Sequence, residues 1–281
     1  MTVAEGLTDG AKLLQENLVA EPESEAVLLM SHALKRDRTF IYAHPEYRLS
    51  AVESILFKAV IRRRATHEPF QYIVGRQEFY GLEFYVTPDV LIPRPETEIL
   101  VEAAIKEFRD RESCKFFEVG VGSGCISVSI LANLPNATAV AADVSYNALV
   151  VAGNNAENNG VSERLELQLS DVYESVDDRE FDLIVSNPPY VAAADLASLQ
   201  REVRDFEPRA ALSGGLDGLD VIRRIIQDAP KLLKPNGMLL MEIGWDQSDR
   251  VGNILDQLGW KNIEKMPDLQ GIPRIMSARR A

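Results

Sequence analysis

The chain has 281 residues, 46% of them hydrophobic and 26% charged, with a net charge of −13. That is the make-up of a globular protein with a sizeable core, and its acidity argues against a protein that grips a phosphate backbone, so no direct nucleic-acid partner is expected. Two cysteines and three histidines form no ligand-spaced cluster, no apolar run approaches ~18 residues, and the N-terminus lacks a signal pattern; neither metal, disulfide framework nor membrane span is expected, and the cytoplasm is the expected location.

Residues 1–75 read as a small helical bundle. Leu7, Ala11, Leu14 and Leu18 sit at helical spacing and predict a helix over 6–18. Pro22, followed by Glu23 and Glu25, suits the first turn of a helix over 22–34, whose buried face would be Ala26, Leu29, Met30, Ala33 and Leu34. Ser50 and Glu53 have capping-box spacing and open a third helix carried by Ile55, Leu56, Val60 and Ile61. Its end bears Arg62, Arg63 and Arg64, which read either as a solvated face or as a patch for a partner. The bundle carries nine Lys/Arg against ten Asp/Glu, which leaves −12 for the remainder.

Over 77–86 the period changes. Phe79-Tyr80 and Phe84-Tyr85 flank Gly81 and predict a β-hairpin linking the bundle to the rest, giving domains at 1–75 and 76–281. Pro95 then suits a helix start, with Ile99, Leu100, Ala103, Ala104 and Phe108 on its inner face.

From Lys115 strands and helices alternate. Strands are expected at 116–119, 139–142, 165–169, 181–185 and 238–243, with helices at 126–134, after Ser145, at 217–229 ended or kinked by Pro230, and at 247–258. Residues 260–266 and 274–279 read as a closing strand pair. This pattern means an α/β fold with a doubly wound, mostly parallel sheet.

Two stretches sit where such sheets bind ligands, at the carboxyl ends of strands. Gly120-Val121-Gly122-Ser123-Gly124 is a turn that lets a ligand approach the backbone. Its third glycine comes one residue early for a dinucleotide fingerprint, and no P-loop lysine follows. Asp143 ends the second strand, where a carboxylate can accept from both hydroxyls of a ribose. Asp171 ends the third and can accept from an adenine amino group, with Val172 against the ring. Either aspartate alone could simply cap the next element. Together they point to an adenosine ligand, and S-adenosylmethionine fits better than a triphosphate.

The second stretch is Asn187-Pro188-Pro189-Tyr190. Two prolines withdraw two N–H donors, so the carbonyls before them are not consumed by regular structure. An Asn side-chain oxygen beside the Pro188 carbonyl makes a two-acceptor fork matched to an NH2 group, and Tyr190 offers a flat face. The plain alternative is a turn that ends a strand.

The glycine turn, Asp143 and the Asn-Pro-Pro-Tyr run resemble class I S-adenosylmethionine-dependent methyltransferases acting on a planar nitrogen. Pro69-Phe70-Gln71-Tyr72-Ile73, Phe79-Tyr80-Gly81, the run Leu91-Ile92-Pro93-Arg94-Pro95-Glu96-Thr97-Glu98, Glu207-Pro208-Arg209 and Gly214-Gly215-Leu216-Asp217-Gly218 narrow the resemblance to the HemK/PrmC-type release-factor glutamine methyltransferases, over essentially the whole chain. The resemblance implies a Rossmann-like seven-stranded methyltransferase sheet behind an N-terminal substrate-recognition domain. It implies methyl transfer from S-adenosylmethionine to the glutamine of the Gly-Gly-Gln loop of class I peptide chain release factors. Cofactor contacts are implied at Gly120, Val121, Gly122, Ser123, Gly124, Asp143, Asp171, Val172 and Asn187. Asn187, Pro188, Pro189 and Tyr190 are implied to hold the glutamine, with Asn187, Pro188 and Tyr190 catalytic. Glu118 and Val121 stand where the family more often has Asp and Thr. Ribosomal-protein glutamine methyltransferases and DNA adenine methyltransferases share the Asn-Pro-Pro-Tyr run, but the first are not expected to carry the intact Pro-Arg-Pro-Glu-Thr-Glu run, and the second need a basic groove and a recognition insertion. A non-catalytic adenosine-binding module is the remaining alternative.

Overall fold

Alternation of apolar strands and amphipathic helices builds one sheet in the computed structural model of the chain, which describes residues 1–176 and 180–281. The hairpin strands β1 (Arg76–Phe79) and β2 (Leu82–Tyr85) stand apart as their own pair. Tyr80 (φ 51°) and Gly81 (φ 74°) both adopt left-handed backbone, as a two-residue hairpin turn with the natural strand twist requires.

Among the described residues, the main sheet contains β3 (Cys114–Val119), β4 (Ala137–Asp143), β5 (Leu165–Leu169), β6 (Phe181–Ser186), β7 (Leu233–Glu242), β8 (Lys261–Pro267) and β9 (Pro273–Arg279). Their order is β5-β4-β3-β6-β7-β9-β8; β9 alone runs antiparallel to its neighbours β7 and β8. The chain winds outward from β3 through β4 and β5, then crosses back to place β6 on the other side of β3. That reversal between β3 and β6 is the switch point where open α/β sheets form a ligand crevice. The Gly120 turn leaves β3 and Asn187 leaves β6, so the fold brings the two predicted stretches to the same crevice.

Both faces of the central strands are covered, which is why β3 and β6 read as nearly continuous apolar runs. Phe116, Leu183 and Val185 join the core on one face, and Phe117, Phe181 and Ile184 the core on the other. The helix Asp220–Leu232 runs two residues past Pro230 instead of stopping there. At that point the proline removes only a last-turn hydrogen bond, and Ile222, Ile225, Ile226 and Ala229 already anchor the helix.

The chain divides into two compact units, Met1–Gly75 with Gln200–Phe206, and Arg76–Leu199 with Glu207–Ala281. The seven residues at Gln200–Phe206 therefore pack with the first unit although their sequence lies in the second. In the first unit the helices are Val3–Glu16, Pro22–Leu34, Arg38–Ala43, Ala51–Ala65 and Phe70–Val74, around Leu14, Leu29, Met30, Phe57 and Ile61. The capping boxes Thr2–Glu5 and Ser50–Glu53 set two of the starts. The first helix ends at Glu16, and Leu18 (φ 61°) is 86% exposed, so it does not belong to the buried face expected of it. Ile55 and Leu56 are likewise exposed, at 67% and 46%; Phe57 takes the inward position in their helix. Nor is the arginine run one patch. Arg64 is 3% exposed, held by Glu25 at 3.1 Å and Glu202 at 2.7 Å, which ties the helix Arg201–Phe206 to this unit. Arg63 is paired with Glu68, and Arg62 is exposed.

Among the described residues no helix is long and apolar enough to cross a membrane, and no group of His, Cys, Asp and Glu is placed to hold a metal ion.

Candidate active site

The glycine turn takes its shape from three left-handed residues, Gly120 (φ +74°), Gly122 (φ +53°) and Gly124 (φ +82°). Their surroundings differ. A Cβ on Gly124 would meet Ala152 at 3.2 Å, so this glycine serves the packing of the helices Cys125–Asn133 and Tyr146–Asn158. A Cβ on Gly120 or Gly122 would meet nothing within 4 Å, which leaves space beside the backbone for a ligand.

The turn is pinned from behind by the buried amide of Asn155. Its Nδ2 donates to the carbonyls of Ser123 (2.8 Å) and Tyr85 (2.9 Å), and its Oδ1 accepts from Tyr85 N (2.7 Å). One side chain thus joins the hairpin to the glycine turn. Asn155→Leu keeps the volume but strands these backbone groups in a buried setting. It should cost about 2–3 kcal/mol of stability, read as a lower denaturation midpoint in urea.

Asp143, at the end of β4, accepts from Gly122 N and Ser145 N, both at 2.9 Å. It therefore does some of the capping work considered for it, yet each oxygen keeps a further lone pair. Burial raises its pKa, and the backbone donors partly offset this. Asp171 lines the same cavity but also pairs with Arg224 at 3.0 Å. Val172 (φ 54°) is buried beside it.

Glu118, on β3, is fully buried. Ser127 donates to its Oε2 through both backbone and hydroxyl, whereas Oε1 has no hydrogen-bond partner. Burial pushes this carboxyl up to about 8. A buried acceptor without a donor, on the wall of a cavity, suits a ligand carrying an N–H cation.

On the opposite side, Ser186 fastens the end of β6 to β3 through Val119 O (2.8 Å), and the chain turns out at Asn187. Asn187 Nδ2 donates to Thr97 Oγ1 (3.1 Å), and Thr97 Oγ1 donates to Glu242 Oε2 (2.6 Å). Tyr190 donates its hydroxyl to Glu242 Oε1 (3.3 Å). Burial first, and then the Glu242 charge, push the Tyr190 phenol up, so it stays protonated. Among the described residues nothing donates to Asn187 Oδ1 or to the Pro188 carbonyl.

The loop after Leu212 closes over this corner. Gly214 N bonds Val191 O at 2.9 Å, and Gln247 donates to Tyr190 O at 2.9 Å while accepting from Gly244 N at 2.8 Å. Arg94, from the run before Pro95, pairs with the buried Glu207.

These elements enclose a cavity of ≈ 450 Å³, within the range of small-molecule sites. Gly120, Val121, Gly122, Ser123, Asp143, Asp171, Val172, Asn187, Pro188 and Pro189 all line it. Gly124 and Tyr190 do not: Gly124 faces Ala152, and the Tyr190 hydroxyl is turned to Glu242. Arg94, Thr97 and Glu118 also line the cavity, and Glu242 supports it from beneath. Two of these carried a signal in the sequence. Glu118 and Glu242 are single carboxylates inside apolar strand runs, a pattern that asks for a polar partner. Thr97 and Arg94 carried only the resemblance of the Leu91–Glu98 run, because by residue type Thr97 reads as an ordinary first-turn helix residue.

Comparison with known proteins fits this geometry. Residues 5–75 match the family described as PrmC N-terminal domain, and residues 95–204 the methyltransferase small domain. A release factor glutamine methyltransferase of Koribacter versatilis is 40% identical over 281 residues, covering 100% of this chain and 99% of that protein. One from Geobacter sulfurreducens is 42% identical over 266 residues, covering 95% and 92%. In structure the chain is similar to a methyltransferase from Pyrococcus furiosus, with a TM-score of 0.55 at 18% identity over 78% of this chain and 98% of that one. A Rossmann-like methyltransferase sheet, a cavity at its switch point and full-length relatives at 40% identity lead to one conclusion: the chain belongs to the release factor glutamine methyltransferase family.

Proposed function

We propose that this protein transfers a methyl group from S-adenosylmethionine to the side-chain amide nitrogen of the glutamine in the Gly-Gly-Gln loop of class I peptide chain release factors, in the cytoplasm. The observation that carries the reading is the state of Asn187: its nitrogen is engaged by Thr97, which leaves its oxygen unengaged among the described residues, and Asn187 and Pro188 both line the cavity.

Two acceptors side by side match the two protons of a carboxamide. Holding both protons fixes the amide plane and builds negative charge on nitrogen, which is otherwise a poor nucleophile because its lone pair is delocalised into the carbonyl. S-adenosylmethionine supplies, when bound, an electrophilic methyl on a sulfonium. Gly120 and Gly122 would admit it against the backbone, Asp143 would accept its ribose hydroxyls, Val172 and Asp171 would meet the adenine, and Glu118 Oε1 would accept its ammonium. Pro189 shapes the wall, and Tyr190 supports the turn from behind through Glu242. No strong base is required, because the methylated nitrogen is acidic until it releases its proton to solvent.

The test is mass spectrometry of a recombinant class I release factor after incubation with the protein and S-adenosylmethionine. One added methyl on the Gly-Gly-Gln glutamine is the expected result. An unmodified glutamine, with the cofactor shown to bind, overturns the reading.

A further inference from the structure

Asn187 can present a cavity either its oxygen or its NH2, and only the oxygen fits a carboxamide's protons. A backbone turn does not choose between them; the groups behind the side chain do. Thr97 and Glu242 are each 2% exposed, so the partners behind the side chain are shielded from solvent, although Asn187 itself is half-buried.

We propose that Thr97 and Glu242 are positioning residues that hold the Asn187 amide with its oxygen toward the substrate, and that Glu242 does so as the ionised carboxylate. This rests on the function proposed above. Ionised Glu242 has only lone pairs to offer, so Thr97 must give it its one proton. The Thr97 oxygen then has only lone pairs left for Asn187, and a second oxygen facing them would be repelled. Nitrogen must face Thr97, and Oδ1 the other way. Tyr190 fills the other oxygen of Glu242 with a donor, so both ends of the carboxylate are committed.

A neutral Glu242 has a proton of its own. With that proton on Thr97, the threonine hydroxyl turns to donate to Asn187, the amide flips, and NH2 meets NH2. The groups around Glu242 make this change accessible near neutral pH. Its carboxyl is raised to about 7, first by burial, against the lowering effect of the Thr97 and Tyr190 donors and then the smaller effects of Glu96, which raises it, and Arg274, which lowers it. The Cys125 thiol, which Glu242 itself influences, is pushed up to about 12 chiefly by burial and stays neutral.

The experiment is kcat against pH at saturating cofactor and release factor, with melting temperature measured alongside. The wild type should lose turnover as pH falls through about 7. Thr97→Val, which keeps the shape and removes the hydroxyl, should lose roughly tenfold to a hundredfold in kcat with unchanged cofactor affinity, and its profile should be flat through that range. Thr97→Ser should restore both turnover and the acid limb. Glu242→Gln, near in shape and not titratable, should also give a flat profile, which keeps the test open if Thr97→Val does not fold. Wild-type turnover in Thr97→Val, or an acid limb that survives in Glu242→Gln, overturns the proposal while leaving the assigned reaction intact. A wild type that never methylates the glutamine overturns both.

Discussion

Replacing Asn187 with alanine should abolish nearly all turnover while leaving the cofactor site in place. The residue lines the cavity with its nitrogen engaged by Thr97, and under the proposed function its loss would remove one oriented polar contact from the reacting amide. Such contacts contribute about 3 kcal/mol to transition states, roughly a hundredfold or more in rate. The glycine turn follows β3, Glu118 lies on β3 and Asp143 ends β4, and among the described residues none of them hydrogen-bonds Asn187, so calorimetric affinity for S-adenosylmethionine should fall by no more than the one contact implied at Asn187, a few fold. Turnover within a few fold of wild type in Asn187→Ala would refute the two-acceptor fork.

Gly218→Ala should damage the same corner from outside the cavity. A Cβ there would lie 2.4 Å from the Tyr190 carbonyl oxygen and 2.8 Å from Gln247 Nε2, on backbone with φ +78°. Neither neighbour can yield easily: the carbonyl belongs to the Asn-Pro-Pro-Tyr turn, and Gln247 is buried and bonded to it. Left-handed strain of about 1–2 kcal/mol joins overpacking of about 1–3 kcal/mol. At ~2–4 °C per kcal/mol, the melting temperature should fall by roughly 10 °C. Turnover should fall with it as the Tyr190 backbone shifts. Gly215→Ala is the control. Its φ of +87° carries the same strain, but what it would meet is the exposed Asp220 side chain, whose Oδ2 (1.7 Å) and Cγ (2.3 Å) can swing away by rotation about χ1, and no backbone group. Equal melting losses in the two variants would mean that close packing against Tyr190 has no special weight.

Much of the second unit was legible without coordinates because the rules that govern it are local. Strands buried on both faces must be mostly apolar, as 116–119 and 181–185 are apart from Glu118 and Asp182. Ligand-facing turns must be free of side chains, as at Gly120 and Gly122. The same reasoning misassigned Leu18, Ile55 and Leu56, since helical spacing says which residues share a face and not which face the rest of the bundle will cover. Arg64 shows the converse. A cation at a helix end is normally solvated, and only the fold brings Glu25 and Glu202 to it from distant parts of the chain.

By itself, the sequence determined the sheet's composition, the two turns at its carboxyl edge and the residue types able to accept a carboxamide's protons. Each of these depends on bonds and sterics within a few consecutive residues. Only the tertiary structure decided which way Asn187 faces. Thr97, the Asn187–Tyr190 turn and Glu242 come from three separate segments, and hydrogen-bond polarity passes between them only once β6 and β7 pair and the helix start at Pro95 packs against them.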